Sequence, residues 1–286
     1  MLNASVSTPS TRVTIFLFKD EMRRRDFLKL AAVAVGTSLG GVAYAKQSSM
    51  IEITSKGLSI PNLSNGLRIV AISDLHAPSY FQHNEYQELV NIINDQDPDI
   101  LILGGDVIDE AGKERLVSLF SSIHSKLAKL AVLGNWEYSA FLDSKRLRAE
   151  YEKAGTTLLV NERVTLGGID IVGLDDFLHG SPNYGLLKGK VSSKPLLVTS
   201  HCPESFDFMP FSPKAPLMVI SGHTHGGQIA PLGVVLHMPA GCSAYLKGWY
   251  YEGKHCMYVM RGVGTSGIPV GIGSRPEVLV LNFHDI

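Results

Sequence analysis

The chain has 286 residues, enough for one large domain or two small ones, and its 45% hydrophobic and 19% charged residues are typical of a globular protein. The formal net charge of −1 offers no basic surface, so we expect no nucleic-acid partner. Three cysteines are too few for a disulfide framework, although Cys242 and Cys256 are one pair that the sequence allows.

Residues 1–45 are predicted to be an N-terminal extension and export signal rather than part of the fold. The run Arg24-Arg25-Asp26-Phe27-Leu28-Lys29 resembles the twin-arginine motif, and a mildly apolar stretch then ends in Ala43-Tyr44-Ala45, a typical cleavage pattern. An amphipathic helix or an uncleaved anchor are the alternatives. We expect twin-arginine export to the periplasm or to the outer face of the cytoplasmic membrane.

Residues 50–286 are predicted to form one domain, because no repeat or low-complexity linker divides them. Apolar spacing predicts helices at 84–96, 112–127 and 144–154. Short apolar runs predict strands at 67–73, 100–103, 130–133, 157–161, 163–166, 169–174, 194–199, 217–220, 249–253, 254–261 and 277–282. The strands 249–253 and 254–261 are expected to form a hairpin.

Five of these strands end in residues that commonly bind metals. By strand end they are Asp74 and His76; Asp106 and Asp109; Asn135; His201; and His223 and His225. Each group alone is equally typical of a turn or of a hydrogen-bonded core residue. Because the carboxyl ends of strands in an open α/β sheet face one crevice, five such groups together predict a single site.

The types of ligand in this set indicate the metals. Carboxylates, imidazoles and an amide oxygen, without a thiolate, suit Mn, Fe, Zn or Mg. A set of this size is too large for one ion and suits two divalent ions that share a carboxylate. Such a pair can hold both the attacking and the leaving oxygen of a displacement at phosphorus.

The motif order D-x-H, G-D-x-x-D, G-N-x-E, S-H-x-P and G-H-T-H-G-G-Q resembles the calcineurin-like metallophosphoesterases, over residues 67–286. The stretches 261–269 and 275–277 resemble the exported bacterial branch of that superfamily. The resemblance implies an α/β fold, a four-layer αββα sandwich of two packed mixed sheets.

Carried over residue by residue, the family's metal ligands are Asp74, His76 and His225 for one ion and Asn135, His201 and His223 for the other, with Asp106 as the bridge. A hydroxide on that bridge would attack phosphorus in line. Asp109 would orient a ligand or its loop from outside the coordination sphere. The residues expected to be catalytic are Asp106, Asn135, Trp136 and His223.

Trp136 occupies a position where the family usually has a histidine that protonates or stabilises the leaving oxygen. An indole N–H donates a hydrogen bond but transfers no proton at neutral pH. Either the leaving group needs little help, or another group supplies the proton, with His83 and His179 as candidates. Trp136 could instead stack on a base, a sugar or an acyl chain.

We therefore favour a metal-dependent phosphodiesterase or pyrophosphatase over a monoesterase. The resemblance extends to enzymes with lipid-linked or nucleotide-linked substrates, so a membrane surface is one candidate partner. The alternative is a catalytically silent metal-binding module that recognises a phosphorylated partner. A structural-zinc protein is disfavoured, because the chain lacks a cysteine cluster.

Three other features have simpler interpretations. Asp175 and Asp176 could line the cleft or form a solvated turn. His124 is expected on the surface of helix 112–127. The aromatic stretch at 245–251 is expected in the core, with a lip that contacts lipid or sugar as the alternative.

Overall fold

A computed structural model describes residues 50–59, 63, 66–77, 83–108, 120–140, 144–188, 194–210, 217–228, 230, 235, 238–266 and 273–285. The strands are β1 Glu52–Ser59, β2 Leu67–Ile72, β3 Ile100–Leu103, β4 Ala128–Ala131, β5 Thr157–Leu158, β6 Glu162–Leu166, β7 Ile169–Gly173, β8 Leu196–Thr199, β9 Leu217–Ser221, β10 Gly248–Glu252, β11 His255–Val259 and β12 Glu277–His284. The α-helices are α1 His83–Asp95, α2 Asn135–Ser139 and α3 Ser144–Lys153.

The strands form two six-stranded mixed sheets. The first has the order β1-β12-β2-β3-β4-β5, in which only the β12–β2 pair is antiparallel. The second has the order β10-β11-β9-β8-β7-β6, with antiparallel pairs at its two edges. Because the central strands of each sheet are parallel, their carboxyl ends lie together at one end of the sheet.

Alternating side chains divide the core into layers, as the period of two in a strand requires. In β2, Ile69 and Ala71 face the second sheet, whereas Val70 and Ile72 pack with α1 and α3 on the outer side. On the second sheet, Val198 packs outward against the 3-10 helices Tyr184–Leu187 and Pro203–Phe208. The predicted α/β sandwich of two mixed sheets is confirmed, and 3-10 helices supply its described outer layer on the second sheet.

The predicted helix 112–127 is wrong at its carboxyl end. Residues 121–127 are not helical, and strand β4 begins at Ala128, ahead of the predicted start. The Lys129 ammonium donates to the Phe120 carbonyl at 2.6 Å, and Leu127 N–H donates to the Asp99 carbonyl at 2.8 Å. These contacts draw the segment onto the start of β3. His124 is exposed, but it lies outside any helix.

Several strand bounds also differ from the prediction. The strand predicted at 157–161 is only Thr157–Leu158, and β1 Glu52–Ser59 was not predicted because only Ile53 and Leu58 of its eight residues are apolar. The hairpin of β10 and β11 is confirmed as an antiparallel pair. Cys202, Cys242 and Cys256 are free thiols, so the Cys242–Cys256 pairing is not formed.

The predicted export signal and Asp109 lie outside the described residues. Within the part of the chain that the structure describes, no helix is long and apolar enough to cross a membrane.

Candidate metal centre

The predicted ligands lie in loops at one end of the sandwich. Asp74 and His76 follow β2, Asp106 follows β3, and Asn135 follows β4. From the second sheet, His201 follows β8, and the pair His223 and His225 follows β9. The sequence placed these residues at strand ends, and the structure brings six of them into two adjacent clusters: Asp74, His76 and His225, and Asp106, His201 and His223.

The first cluster consists of Asp74, His76 and His225, whose candidate ligand atoms all lie within 4.8 Å of one another. The Nε2 atoms of His76 and His225 are 3.0 Å apart, and Asp74 Oδ1 lies 3.6 Å from His225 Nε2. All three residues are buried. Three ligand atoms that converge on one buried point can hold a single cation.

The second cluster consists of Asp106, His201 and His223. His201 Nε2 lies 3.2 Å from both Asp106 Oδ2 and His223 Nδ1. The remaining ring nitrogens are held by backbone carbonyls, since His201 Nδ1 is 2.9 Å from the Gly104 oxygen and His223 Nε2 is 2.6 Å from the Ala240 oxygen. Such outer contacts fix the orientation and tautomer of a metal-binding imidazole.

Asp106 lies between the two clusters. Its Oδ2 atom is 3.2 Å from His201 Nε2 in the second cluster and 3.8 Å from His76 Nε2 in the first. Its Oδ1 atom accepts a hydrogen bond of 2.8 Å from the Trp136 N–H. One carboxylate oxygen therefore reaches both clusters, as the predicted bridging role requires.

The side chains fit two divalent cations. Two carboxylates and four imidazoles are each at most 8% exposed, and buried negative charges need a positive partner. Asn135 Oδ1 is also buried and has no hydrogen-bond partner among the described residues, at a position flanked by two residues that contact Asp106. A buried acceptor of this kind is explained if it faces a cation.

Burial and the carboxylates set the protonation of these groups. Burial lowers the pKa of His76 to about 4 and outweighs the opposing charge of Asp106. Burial alone would lower the pKa of His201, but the Asp106 carboxylate raises it well above its ordinary value. Conversely, His201 holds the pKa of Asp106 below its usual range despite burial. His76 is therefore neutral and Asp106 ionised at pH 7, the states that bind metals.

Five of the predicted ligands have left-handed backbone conformations, with φ of 54° at Asp74, 49° at His76, 52° at Asp106, 71° at His223 and 48° at His225. Such conformations are uncommon outside glycine and cost about 1–3 kcal/mol each. Backbone hydrogen bonds hold them, among them Asp74 N–H to the Gly105 oxygen and His76 N–H to the Asp106 oxygen, both 3.0 Å. The backbone turns sharply here, and successive ligands thereby reach one centre.

Two glycines let the loops approach the carboxylates. A Cβ at Gly134 would collide with Asp106 Oδ1, and a Cβ at Gly222 would lie 2.5 Å from Asp74 Oδ2. Both glycines have ordinary negative or extended φ, so their missing side chain, rather than backbone freedom, is what the site requires.

Trp136 packs beside the first cluster. Its ring meets the His76 ring edge-on, with centroids 4.7 Å apart and an interplanar angle of 66°. The side chain is half-buried. Trp136 therefore forms part of the wall of the candidate metal centre, at the position where the family usually has a proton-donating histidine.

Glu137 is the last residue of the G-N-x-E motif, and the sequence analysis gave its carboxylate no role. Its carboxylate is 1% exposed and accepts N–H bonds from Asp106, Val107 and Gly134 at 3.1, 2.8 and 2.9 Å. Burial and the nearby charge of Asp106 raise its pKa to about 7. A glutamate at the third position of a helix is a capping signal, but its bonds to the Asp106 loop depend on tertiary structure.

Other candidates have different roles from those considered. Asp175 and Asp176 do not form a solvated turn, because both are buried and accept backbone N–H bonds from Ser181 and His179, among others. The His179 side chain is exposed on the same loop. None of the described contacts brings it to the clusters, so its role as a proton donor stays a prediction.

The aromatic stretch at 245–251 is divided between core and surface. The rings of Tyr245 and Tyr250 meet edge-on, with centroids 4.9 Å apart, and both side chains pack against the outer layer of the second sheet. Trp249 packs on Tyr258, whereas Tyr251 is 66% exposed. Tyr245, Trp249 and Tyr250 therefore pack against the core while partly buried, and Tyr251 is the exposed aromatic residue of the stretch.

Comparison with known proteins agrees with this geometry. The sequence profile of the Calcineurin-like phosphoesterase family matches residues 67–227, and the chain belongs to that family. It is 30% identical over 281 residues to the uncharacterized metallophosphoesterase YkuE of Bacillus subtilis, over 91% of this chain and 97% of YkuE. It is 28% identical over 270 residues to the phosphodiesterase YaeI of Escherichia coli, over 90% of this chain and 98% of YaeI.

Among solved structures, TT1561 of Thermus thermophilus is similar with a TM-score of 0.44 and 14% identity, over 70% of this chain and 91% of that one.

The close approach at Gly134 predicts that Gly134→Ala weakens metal binding by about tenfold or more, because the new methyl group displaces Asp106. Gly66→Ala is the matched control, since its Cβ would meet only the Phe283 carbonyl at an ordinary 3.5 Å. Metal binding by both variants is measured as the Mn²⁺ content of the protein after equilibrium dialysis. Wild-type metal content in Gly134→Ala would contradict the prediction.

Proposed function

We propose that this protein is a phosphoester hydrolase that uses two divalent metal ions, with phosphodiester or pyrophosphate bonds as its substrates. The observation that carries the proposal is the pair of buried clusters joined by Asp106, whose Oδ2 lies within 3.8 Å of a histidine of each. Membership of the calcineurin-like phosphoesterase family supports it.

When bound, two divalent ions supply Lewis-acid stabilisation of the phosphoryl oxygens and an activated water. Asp74, His76 and His225 would hold one ion, and Asn135, His201 and His223 the other. Asp106 holds the two positions together, and the backbone carbonyls on His201 and His223 keep their rings aimed at the centre.

Trp136 is the basis for preferring a diester. Its indole fills the wall beside His76, where a histidine would otherwise assist the leaving oxygen, and it transfers no proton. A diester or pyrophosphate leaving group with a low pKa departs without such help. The relative YaeI, which is named a phosphodiesterase, supports the same choice.

The catalytically silent alternative rests on the same substitution at Trp136. A silent module has no need for a full set of ligands. Here every predicted ligand is present, and six of them converge in two buried clusters. The two-metal hydrolase is therefore our principal proposal, and a hydrolysis assay distinguishes it from the silent module.

The proposal predicts metal-dependent hydrolysis of bis-p-nitrophenyl phosphate by the wild-type chain, with Mn²⁺, Zn²⁺ or Mg²⁺, and little hydrolysis of p-nitrophenyl phosphate. Asp106→Asn should abolish turnover of the diester, because the bridge loses one of its charged oxygens. Asp170→Asn is the control, since Asp170 is equally a buried carboxylate but bonds Thr165 at the far end of β7.

In the same assay, Trp136→His should raise monoester hydrolysis by about tenfold or more, a part of the roughly 10²–10⁴-fold that a general acid supplies. Metal-loaded wild type that hydrolyses neither substrate would favour the silent module. A monoester preference in wild type would contradict the role given to Trp136.

We further place the protein outside the cytoplasm, after export by the twin-arginine machinery. What supports this is the motif at residues 24–29 and the cleavage pattern at residues 43–45. The N-terminal segment joins the domain near the centre: Glu52 N–H bonds the Pro276 oxygen, and Glu277 N–H bonds the oxygen of Gly262, which adjoins Asp74. An uncleaved anchor would thus hold the centre near a membrane, which suits a lipid-linked phosphoester.

Export predicts that Arg24→Lys together with Arg25→Lys retains the full chain in the cytoplasm, because twin-arginine recognition needs both guanidinium groups. Cell fractionation and immunoblotting measure the distribution, and Arg12→Lys, outside the motif, is the control. Identical distribution of the double variant and wild type would contradict export by this route. The molecular mass of the exported chain separates cleavage from anchoring.

A further inference from the structure

We propose that Glu137 is a positioning residue that sets the separation of Asp106 and Asn135 and thereby the affinity for both metal ions. The inference rests on the proposed two-metal centre and adds a residue that neither binds metal nor contacts substrate.

The position of the Glu137 carboxylate is the first step. It is 1% exposed, and its two oxygens accept N–H bonds from two different loops. Oε2 accepts from Asp106 at 3.1 Å and from Gly134 at 2.9 Å, whereas Oε1 accepts from Val107 at 2.8 Å and from Ile108 at 3.4 Å. A single side chain therefore satisfies four buried N–H groups.

The second step is that strand pairing does not extend to the loops that carry Asp106 and Asn135. Strands β3 and β4 are parallel neighbours up to the pair Leu103 and Ala131, and the ladder ends with Val132 N–H on the Leu103 oxygen at 3.0 Å. Asp106 and Asn135 lie beyond that point. Between the two loops, the Glu137 carboxylate supplies the acceptor that the sheet no longer provides.

The third step is the strained geometry of Asp106 itself. Its φ is 52°, which a non-glycine residue adopts only when the surroundings enforce it. The Glu137 carboxylate accepts a hydrogen bond from the Asp106 N–H. The Asp106 Oδ1 atom accepts another, of 2.8 Å, from the Trp136 N–H. The backbone and the side chain of Asp106 are thus both fixed by helix α2, which Asn135 begins.

The experiment compares Mn²⁺ binding with thermal stability in wild type, Glu137→Gln, Glu137→Asp and Asp170→Asn. Glutamine keeps one acceptor oxygen, and its NH₂ faces two N–H donors, so it can satisfy only two of the four N–H groups. We expect Glu137→Gln to lower Mn²⁺ affinity by about 10–100-fold at temperatures well below its melting temperature. Aspartate keeps both oxygens and should recover part of that affinity.

Asp170→Asn separates positioning from simple stabilisation, because it also removes a buried carboxylate that bonds its surroundings, here Thr165 and Arg163. It should lower the melting temperature and leave Mn²⁺ affinity unchanged. In Glu137→Gln, saturating Mn²⁺ should restore most of the turnover of bis-p-nitrophenyl phosphate, since the ligands themselves are intact.

Wild-type Mn²⁺ affinity in folded Glu137→Gln would overturn the inference. If that variant does not fold, Glu137→Asp decides: reduced affinity supports the inference, and unchanged affinity overturns it. The proposed function fails separately, when wild type binds two Mn²⁺ but hydrolyses no phosphoester. Glu137 would in that case still be tested by metal binding alone.

Discussion

The metal centre depends on charge that is buried where water cannot compensate it. Asp74 and Asp106 are at most 2% exposed, and the imidazoles around them are at most 8% exposed. Two carboxylates at such depth are stable only with positive partners. A pair of divalent ions compensates the whole set, which is why we interpret the cluster as a metal centre rather than as a structural hydrogen-bond network.

The sandwich makes this burial achievable. Each sheet contributes strand ends from one direction, so loops from two sheets meet over the core that lies between them. The loops must then turn within two or three residues. Left-handed backbone at Asp74 and His223, together with the bare backbone of Gly134 and Gly222, gives the side chains room to converge. Helix α2 adds a further restraint, because its Glu137 carboxylate accepts N–H bonds from both loops that follow β3 and β4.

Sequence patterns predicted what depends on local periodicity. The apolar runs before Asp74, Asp106 and His201 located the strand ends, and the order of motifs located the candidate ligands. The patterns failed where a distant contact decides the outcome. Lys129 draws residues 121–127 out of the predicted helix, and Asp175 and Asp176 are buried by backbone donors that no local pattern identifies. The contacts of Glu137 were not predicted for the same reason, since three of its partners lie about 30 positions earlier in the chain.

The most direct test of the two-metal account is anomalous X-ray diffraction from crystals of the full chain grown with Mn²⁺. The account predicts two anomalous peaks about 3.5–4 Å apart. One should lie within coordination distance of Asp74, His76 and His225, the other near Asn135, His201 and His223, with Asp106 between them. One peak, or two peaks that Asp106 does not join, would contradict the account, because the bridge is the feature on which the proposed chemistry depends.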